Sequence, residues 1–254
     1  SYLLNNFKIS ANIAPQNLMY NSYKKNFFKK IKIQFDKFKN KKEFLIEKKF
    51  LDKKTFYYDY LNNVCFNDNL FLEGHFESEK YFLHERENIL KEFSLINNNN
   101  FKKNNYLKNI QNENIVSICI RQNRYSERIG NHNDKASIEK SQFFVKETIK
   151  YIKKAETLIE KKVSNPKYYI WSDNFTNLRE YFPENKYTFV INEEKKILND
   201  FFLLLNCKYF IVGPTTFHWW GAWLSNFDNK FCIRPQNLNP SNNKDFWPTS
   251  WASI

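Results

Sequence analysis

Charged and hydroxyl side chains directly follow several apolar runs in the second half of the chain. They are Arg121, Ser172, Asp173, Asn192, Glu193, Pro214, Thr215 and Thr216. A guanidinium forks onto phosphate oxygens and stays charged. A threonine that caps a helix leaves free backbone N–H groups beside it, and these favour an anion. If the runs are neighbouring strands, the set predicts a diphosphate-binding site that lacks a glycine-rich loop.

The elements that would position these residues follow from hydrophobic periodicity. Short apolar runs predict strands at 115–121, 167–172, 187–191, 208–212 and 230–235. Helical periodicity predicts helices at 137–163, 174–182, 193–207 and 215–225. Strands that alternate with helices indicate parallel βαβ units in an open, doubly wound α/β sheet. Such sheets bind ligands outside the carboxyl ends of their strands.

The first half of the chain is less regular. Residues 78–96 have apolar side chains at helical spacing and predict a helix, whereas 25–45 is open between a helix and a basic strand. The polar run NNNNFKKNN, residues 97–105, reads as a connector. We therefore predict an N-terminal domain over 1–105 and a nucleotide-binding domain over 106–254.

Composition excludes several classes of protein. The chain has 40 Lys+Arg against 27 Asp+Glu, a formal net charge of +13, which suits a polyanionic partner. A general bias toward Lys and Asn explains that charge more simply. The cysteines are far apart and form no metal-binding pattern, which suits a reducing compartment. Without GxGxxG or GxxxxGK[ST], neither a dinucleotide dehydrogenase nor a P-loop enzyme is expected.

Several segments resemble one known family, in the order in which that family has them. TTFHWWGAWL (215–224) resembles SSFSWWGAWL, YYIWSDN (168–174) resembles YIFSDD, and CIRQNRY (119–125) resembles HIRRGDY. LEGHFESEKYF (72–82) resembles GYFQSEKYF. Two further segments look familiar: FKISANIA (7–14) and FWPTSWASI (246–254). The chain is thus similar to the α-1,2-fucosyltransferases of glycosyltransferase family 11.

The resemblance implies a GT-B-like enzyme that transfers fucose from GDP-fucose, with inversion and without a metal or other cofactor. The acceptor would be a galactose-containing surface glycan, such as a bacterial lipopolysaccharide. Arg121 matches the arginine that holds the diphosphate. The nucleotide-binding candidates are Arg121, Arg124, Ser172, Asp173, Thr215, Thr216 and His218. The protein would be cytoplasmic, with peripheral contact to the anionic inner face of the plasma membrane as an option.

Departures from the family's motifs alter these roles. Cys119 replaces a histidine, Gln122 replaces a second arginine, and Asn123-Arg124 replace Gly-Asp. Arg124 would restore the lost positive charge. Glu127 is the nearest remaining acid and is a candidate general base beside Arg121. The family's GGLGNQ loop has no counterpart, so we expect the N-terminal domain to be truncated.

Other interpretations compete with these assignments. The chain could be an inactive relative that binds GDP without transfer, whereas a nucleic-acid-binding function has only the net charge to support it. Asp173 could cap the helix 174–182, and His218 could be a packed core residue. At least two of the three tryptophans in 219–223 should pack in the core. Glu73, His75 and Glu77 could face a cleft or be surface charges.

Overall fold

The computed structural model describes residues 3–12, 27–40, 43–47, 70–96, 104–127, 133–191, 197–241 and 243–254. In the first half, the elements are α1 (Phe27–Asn40), β1 (Glu43–Ile46), β2 (Leu70–Glu73) and α2 (Arg86–Glu92). Strands β1 and β2 form a small parallel sheet, in which Glu43 pairs with Leu70. Single 3-10 turns at Glu79–Tyr81 and Leu83–Glu85 lead into α2.

The second half is built from alternating helices and strands. In chain order they are α3 (Asn105–Asn112), β3 (Ile115–Ile120), α4 (Lys135–Lys162), β4 (Lys167–Ser172), α5 (Leu178–Tyr181), β5 (Tyr187–Phe189), α6 (Ile197–Leu205), β6 (Tyr209–Ile211), α7 (Thr216–Leu224), β7 (Phe231–Arg234) and β8 (Ala252–Ser253). This alternation confirms the α/β class. No helix within the described ranges is long and apolar enough to cross a membrane.

Among the described residues, the large sheet has six strands in the order β5-β4-β3-β6-β7-β8, and every neighbouring pair is parallel. Strand β3 is central, and the chain builds outward from it in both directions. The strand order therefore reverses between β3 and β6. In open α/β sheets, the crevice at such a reversal is where ligands bind.

Both faces of the sheet are covered. All residues of β3 are buried, and its alternate side chains enter two different cores. Ile118 packs with Ile152 of α4 in one core, whereas Cys119 belongs to the other, with Trp219 of α7. A strand that is buried on both faces reads as a continuous apolar run, which explains why β3 was recognisable.

Some elements differ from the predictions. Helix α5 is a single turn rather than 174–182, because Asn177 before it has a left-handed φ of 62°. The ambiguous segment 25–45 contains both a helix, α1, and the start of a strand, β1. Strand β8 was not predicted. Residues 97–103 of the connector lie outside the described residues, and the division at residue 105 stays a prediction.

Candidate active site

The carboxyl ends of β3 and β6 lie side by side, because Ile118 pairs with Ile211. Arg121 follows β3, and Gly213 follows β6 two residues after its end. A Cβ at Gly213 would lie 1.9 Å from the carbonyl oxygen of Cys119. Only glycine can therefore stand there, and its missing side chain lets the two strand ends approach closely.

Helix α7 begins above this junction. Thr215 is its N-cap, and the Thr215 hydroxyl accepts a hydrogen bond from the His218 backbone N–H at 3.1 Å. Thr215 is 2% exposed, whereas Thr216 is exposed. Thr215 thus shapes the helix end, and Thr216 presents its side chain where a ligand can reach it. The uncapped N–H groups of this turn favour an anion.

Cys119 stands where the family's motif has a histidine. Its thiol lies beside the Thr215 hydroxyl, and burial raises its pKa to about 12. The group is therefore neutral at ordinary pH and buried, and it cannot contribute a positive charge to the crevice.

His218 lies beneath the crevice and is fully buried. Its Nδ1 accepts a hydrogen bond from the Gly213 backbone N–H at 2.8 Å, and its Nε2 is 2.8 Å from the Ser117 hydroxyl. Burial lowers the pKa of the imidazole to about 3. Both nitrogens are engaged within the protein, so the geometry favours an indirect role over direct contact with a nucleotide.

Arg121 is partly exposed at the end of β3, with 38% of its side chain accessible. Its Nη2 makes an ion pair with Oε1 of Glu127. Its Nε is buried and has no hydrogen-bond partner in the part of the chain that the structure describes. A guanidinium at a strand end can donate hydrogen bonds to an anionic ligand.

Arg124, unlike Arg121, makes hydrogen bonds to backbone carbonyls of distant loops. Its Nη1 donates to the Pro214 carbonyl at 3.0 Å, and its Nη2 donates to the Pro240 carbonyl at 2.9 Å. The guanidinium also lies 5.2 Å from the ring centre of Phe144. Arg124 thus joins the loop after β3 to the start of α7 and to the loop after β7. Its charge remains close to the crevice, and each terminal nitrogen donates to a carbonyl, while its Nε, like that of Arg121, is buried without a hydrogen-bond partner among the described residues.

Asp173 supports the same loop from β4. Its Oδ1 accepts from the Gln122 backbone N–H at 2.7 Å, and its Oδ2 accepts from that of Asn123 at 3.1 Å. The Ser172 hydroxyl donates to the Asn174 carbonyl at 2.6 Å. The Asp173 carboxylate therefore fixes the loop that carries Arg121, and it is not the cap of α5, which follows Asn177.

The structure thus brings Arg121, Arg124, Glu127, Ser172, Asp173, Thr215 and Thr216 to one sheet edge, with His218 below them. Asn192 and Glu193 lie outside the described residues. Within the described ranges, no group of three or more His, Cys, Asp or Glu side chains could hold a metal ion. Whether any of the site residues binds a nucleotide stays a prediction.

A cleft of about 290 Å³ opens beside the first turn of α7. It is lined by His75, Phe76, Glu77, Ser78, Phe82, Thr216, Trp219, Trp220 and Phe246. The sequence leaves His75 and Glu77 open between a cleft and the surface, and the structure places both in the lining of this cleft. The sequence feature that points to them is the segment 72–82, which resembles a family motif. In the structure, this segment lies against α7.

Comparison with known proteins found relatives in Escherichia coli. An alpha-1,2-colitosyltransferase of Escherichia coli is 26% identical over 190 residues, which are 71% of this chain and 61% of that protein. The O-antigen biosynthesis glycosyltransferase WbnK of Escherichia coli is 26% identical over 218 residues, 83% of this chain and 69% of that protein. The chain thus spans about three fifths to two thirds of the length of these relatives. No solved structure matches it significantly.

A family model extends the match over nearly the whole chain. The model described as Glycosyl transferase family 11 matches residues 1–252. This range includes both the cleft-lining segment 75–78 and the sheet edge that carries Arg121. With the parallel sheet, its topological reversal and the ordered motifs, the match shows that the chain belongs to glycosyl transferase family 11.

Proposed function

We propose that this protein transfers a sugar from a nucleotide-diphosphate donor to a hydroxyl of a glycan. One observation carries the proposal. At the reversal between β3 and β6, Arg121 keeps a buried Nε without a partner, beside the N-terminus of α7 with its exposed Thr216. A guanidinium and a helix N-terminus together suit a diphosphate.

In this proposal, Arg121 acts on the leaving group. As the bond between the sugar and the diphosphate breaks, negative charge grows on the phosphate oxygens. Arg121 and the backbone N–H groups of the first turn of α7 would stabilise that charge. Removing such a contact typically raises the barrier by ~3–4 kcal/mol, a hundredfold or more in rate. The ion pair between Arg121 and Glu127 would open or rearrange as the diphosphate binds.

The finer proposal is transfer of fucose from GDP-fucose to a galactoside in an α-1,2 linkage, without a metal. It is supported by the motifs around Arg121 and Thr215. The name of one relative specifies colitose as the sugar, so a colitose donor is the alternative to test. The name of the other places it in O-antigen biosynthesis, and we propose a role in surface-glycan synthesis for this chain as well.

We also propose that the protein is cytoplasmic and contacts the anionic inner face of the plasma membrane. Helix α1, FFKKIKIQFDKFKN, contains five lysines and one aspartate. Ile31, Phe35 and Phe38 of this helix are 50%, 58% and 92% exposed. Their spacing puts them on one side of the helix. Exposed aromatic side chains on a lysine-rich helix suit an anionic lipid surface.

A specific observation also supports a second function, GDP binding without transfer. Gln122, in place of an arginine, donates to the carbonyls of Asn174 and Thr176. Arg124 donates to two other carbonyls. Arg121 would then be the main cation left for the diphosphate. A single cation suffices to bind GDP more readily than to stabilise the charge on a leaving group.

A transfer assay separates these functions. The protein is incubated with GDP-fucose, or with the corresponding colitose donor, and a β-galactoside, and products are separated by mass. A galactoside heavier by one fucose residue, with its linkage assigned by NMR, would support the finer proposal. Transfer of colitose alone would reassign the donor. GDP binding without either product would favour the second function.

A further inference from the structure

We propose that the cleft beside α7 is the acceptor-sugar site and that Glu77 is the base that activates the acceptor hydroxyl. This inference rests on the proposed transfer of a sugar. It assigns a substrate and a role to His75 and Glu77, which the sequence alone leaves open between a cleft and the surface.

The lining of the cleft suits a neutral sugar better than a diphosphate. Its volume of about 290 Å³ lies at the small end of ligand sites, which span roughly 300–1,000 Å³, and this suits a single sugar ring. Its described lining contains no Lys or Arg, and the Glu77 carboxylate would repel phosphate. Aromatic side chains can pack against the C–H faces of a sugar, while carboxylate, imidazole and hydroxyl groups bind its hydroxyls.

The aromatic side of the cleft is built from rings that stack on one another. Trp219 is stacked on Trp223, with ring centres 6.1 Å apart and planes at 8°. Trp220 is stacked on Phe82 at 5.2 Å and 17°. Because these rings hold one another, the wall is formed before any sugar binds, which lowers the cost of binding.

The opposite side is fixed through its backbone. The buried Glu47 carboxylate accepts hydrogen bonds from the backbone N–H groups of His75 at 2.7 Å and Phe76 at 2.9 Å, and from the Tyr81 hydroxyl at 3.0 Å. Phe76 has a φ of 48°, a left-handed conformation that these contacts maintain. Glu47 therefore holds the turn that presents His75 and Glu77.

The two side chains that this turn presents, those of His75 and Glu77, are available to a ligand. In the described part of the chain, the Glu77 carboxylate and the His75 imidazole make no hydrogen bond or ion pair. The other candidate base, Glu127, is paired with Arg121, and Asp173 accepts two backbone N–H groups. Of these acids, Glu77 is the one that is unengaged and lines the cleft.

The cleft also lies next to the proposed donor site. Thr216 lines the cleft and begins α7, directly after the N-cap Thr215. Pro214, one residue earlier, is bound by Arg124 from the loop after β3. A sugar in the cleft would thus lie against the first turn of α7, the turn whose N–H groups would meet the diphosphate.

The chemical step balances with these groups alone. The Glu77 carboxylate takes the proton of the acceptor hydroxyl, and the oxygen forms a bond to the anomeric carbon of the donor sugar. The bond from that carbon to the phosphate oxygen breaks, and its electron pair leaves with the nucleoside diphosphate. Glu77 ends protonated and returns its proton to water.

The test separates acceptor binding from donor binding. Lactose binding is followed by ligand-observed NMR in the presence of GDP, and GDP binding is followed by calorimetry. The variants are His75→Ala and Glu77→Gln, with Glu87→Gln, an exposed acid on α2, as the matched control. Transfer is measured as kcat and as KM for lactose.

We expect His75→Ala to weaken lactose binding about tenfold and Glu77→Gln to lower kcat ~10²-fold or more, with GDP affinity unchanged in both. Glu87→Gln should match the wild type. Wild-type protein that binds GDP but not lactose, or Glu77→Gln with an unchanged kcat, would overturn the inference. Weaker GDP binding in both cleft variants would assign the cleft to the nucleotide instead. Absence of GDP binding in the wild type would contradict the proposed function itself.

Discussion

The imidazole of His218 connects the start of α7 to the central strand, with its Nε2 2.8 Å from the hydroxyl of Ser117. Because Nδ1 accepts the Gly213 N–H, the proton of the neutral ring lies on Nε2, which donates to Ser117. His218, a candidate for nucleotide binding from sequence, is therefore a core residue with both ring nitrogens bonded within the protein. It holds the turn 213–215 over the end of β3.

This arrangement predicts a pH dependence of stability. Burial lowers the pKa of His218 to about 3 in the folded protein, against an unfolded value near 6.5. The unfolded state therefore binds the extra proton, and the stability is fully present above pH ~6.5. As the pH falls from there toward 3, the free energy of unfolding should drop by ~1.4 kcal/mol per unit from this group.

Urea denaturation at several pH values between 7.5 and 4.5 measures this dependence. Because carboxylates also titrate in this range, the relevant quantity is the difference in slope between the wild type and His218→Ser. The variant should be less stable at neutral pH and should lose less stability on acidification. Parallel slopes for the two proteins would contradict the buried neutral imidazole.

The close approach of β3 and β6 predicts that any larger residue at Gly213 will strongly destabilise the fold. A methyl group there would meet the backbone oxygen of Cys119, which cannot move without disturbing the central strand. We expect Gly213→Ala to cost ~3 kcal/mol or more. Gly221→Ala is the control, because its new Cβ would meet Leu204 side-chain atoms, the nearest at 2.9 Å. The thermal midpoint should fall further for Gly213→Ala, and a smaller fall than in the control would disprove the tight junction.

The two carbonyl contacts of Arg124 predict that the shape of its guanidinium matters and that a positive charge alone is not enough. Lysine keeps the positive charge but cannot donate to the Pro214 and Pro240 carbonyls in a fork. Arg124→Lys should therefore resemble Arg124→Ala, with a lower thermal midpoint and GDP binding weakened about tenfold. If Arg124 serves the diphosphate through charge alone, Arg124→Lys will keep near wild-type GDP affinity, and the interpretation that Arg124 acts through its two carbonyl contacts would be wrong.

Helix α1 predicts binding to anionic vesicles. The protein should sediment with phosphatidylglycerol vesicles and not with phosphatidylcholine vesicles. Replacing both Phe35 and Phe38 by Ser should weaken this binding at least tenfold, since burial of each ring contributes ~1.5–3 kcal/mol. Phe143→Ser, at a ring on α4 that is 65% exposed, should have no effect. An equal loss of vesicle binding in Phe143→Ser would mean that exposed apolar side chains in general, and not α1, cause the binding.

Much of the sheet could be predicted because its strands are buried on both faces. The runs at β3 and β4 are apolar between their ends except at Ser117, so their predicted bounds are nearly correct. The prediction that at least two of three neighbouring tryptophans are core residues is confirmed by Trp219 and Trp223, at 3% and 2% exposure. Strand β8, with two residues, has no such pattern.

The roles of individual polar residues were harder to predict, because they depend on contacts between distant segments. Position at a strand end predicts that Asp173 lies near the crevice, and the family motif predicts the same for Arg124. Neither predicts the backbone groups that these side chains bind 50 and 116 residues away. The cleft was also invisible in sequence, since it forms where 75–78 meets α7. Residue type and spacing located the site, whereas side-chain partners needed the structure.

The most direct test of the account is calorimetric titration of the protein with GDP, comparing the wild type with Arg121→Ala. Lys167→Ala is the matched control, because it removes one positive charge from the opposite edge of the sheet, where Lys167 pairs with Glu113. We predict saturable GDP binding that Arg121→Ala weakens at least ~30-fold, or ~2 kcal/mol, and that Lys167→Ala leaves unchanged. Equal GDP affinity in all three proteins, or no GDP binding by the folded wild type, would contradict a nucleotide site at the reversal between β3 and β6.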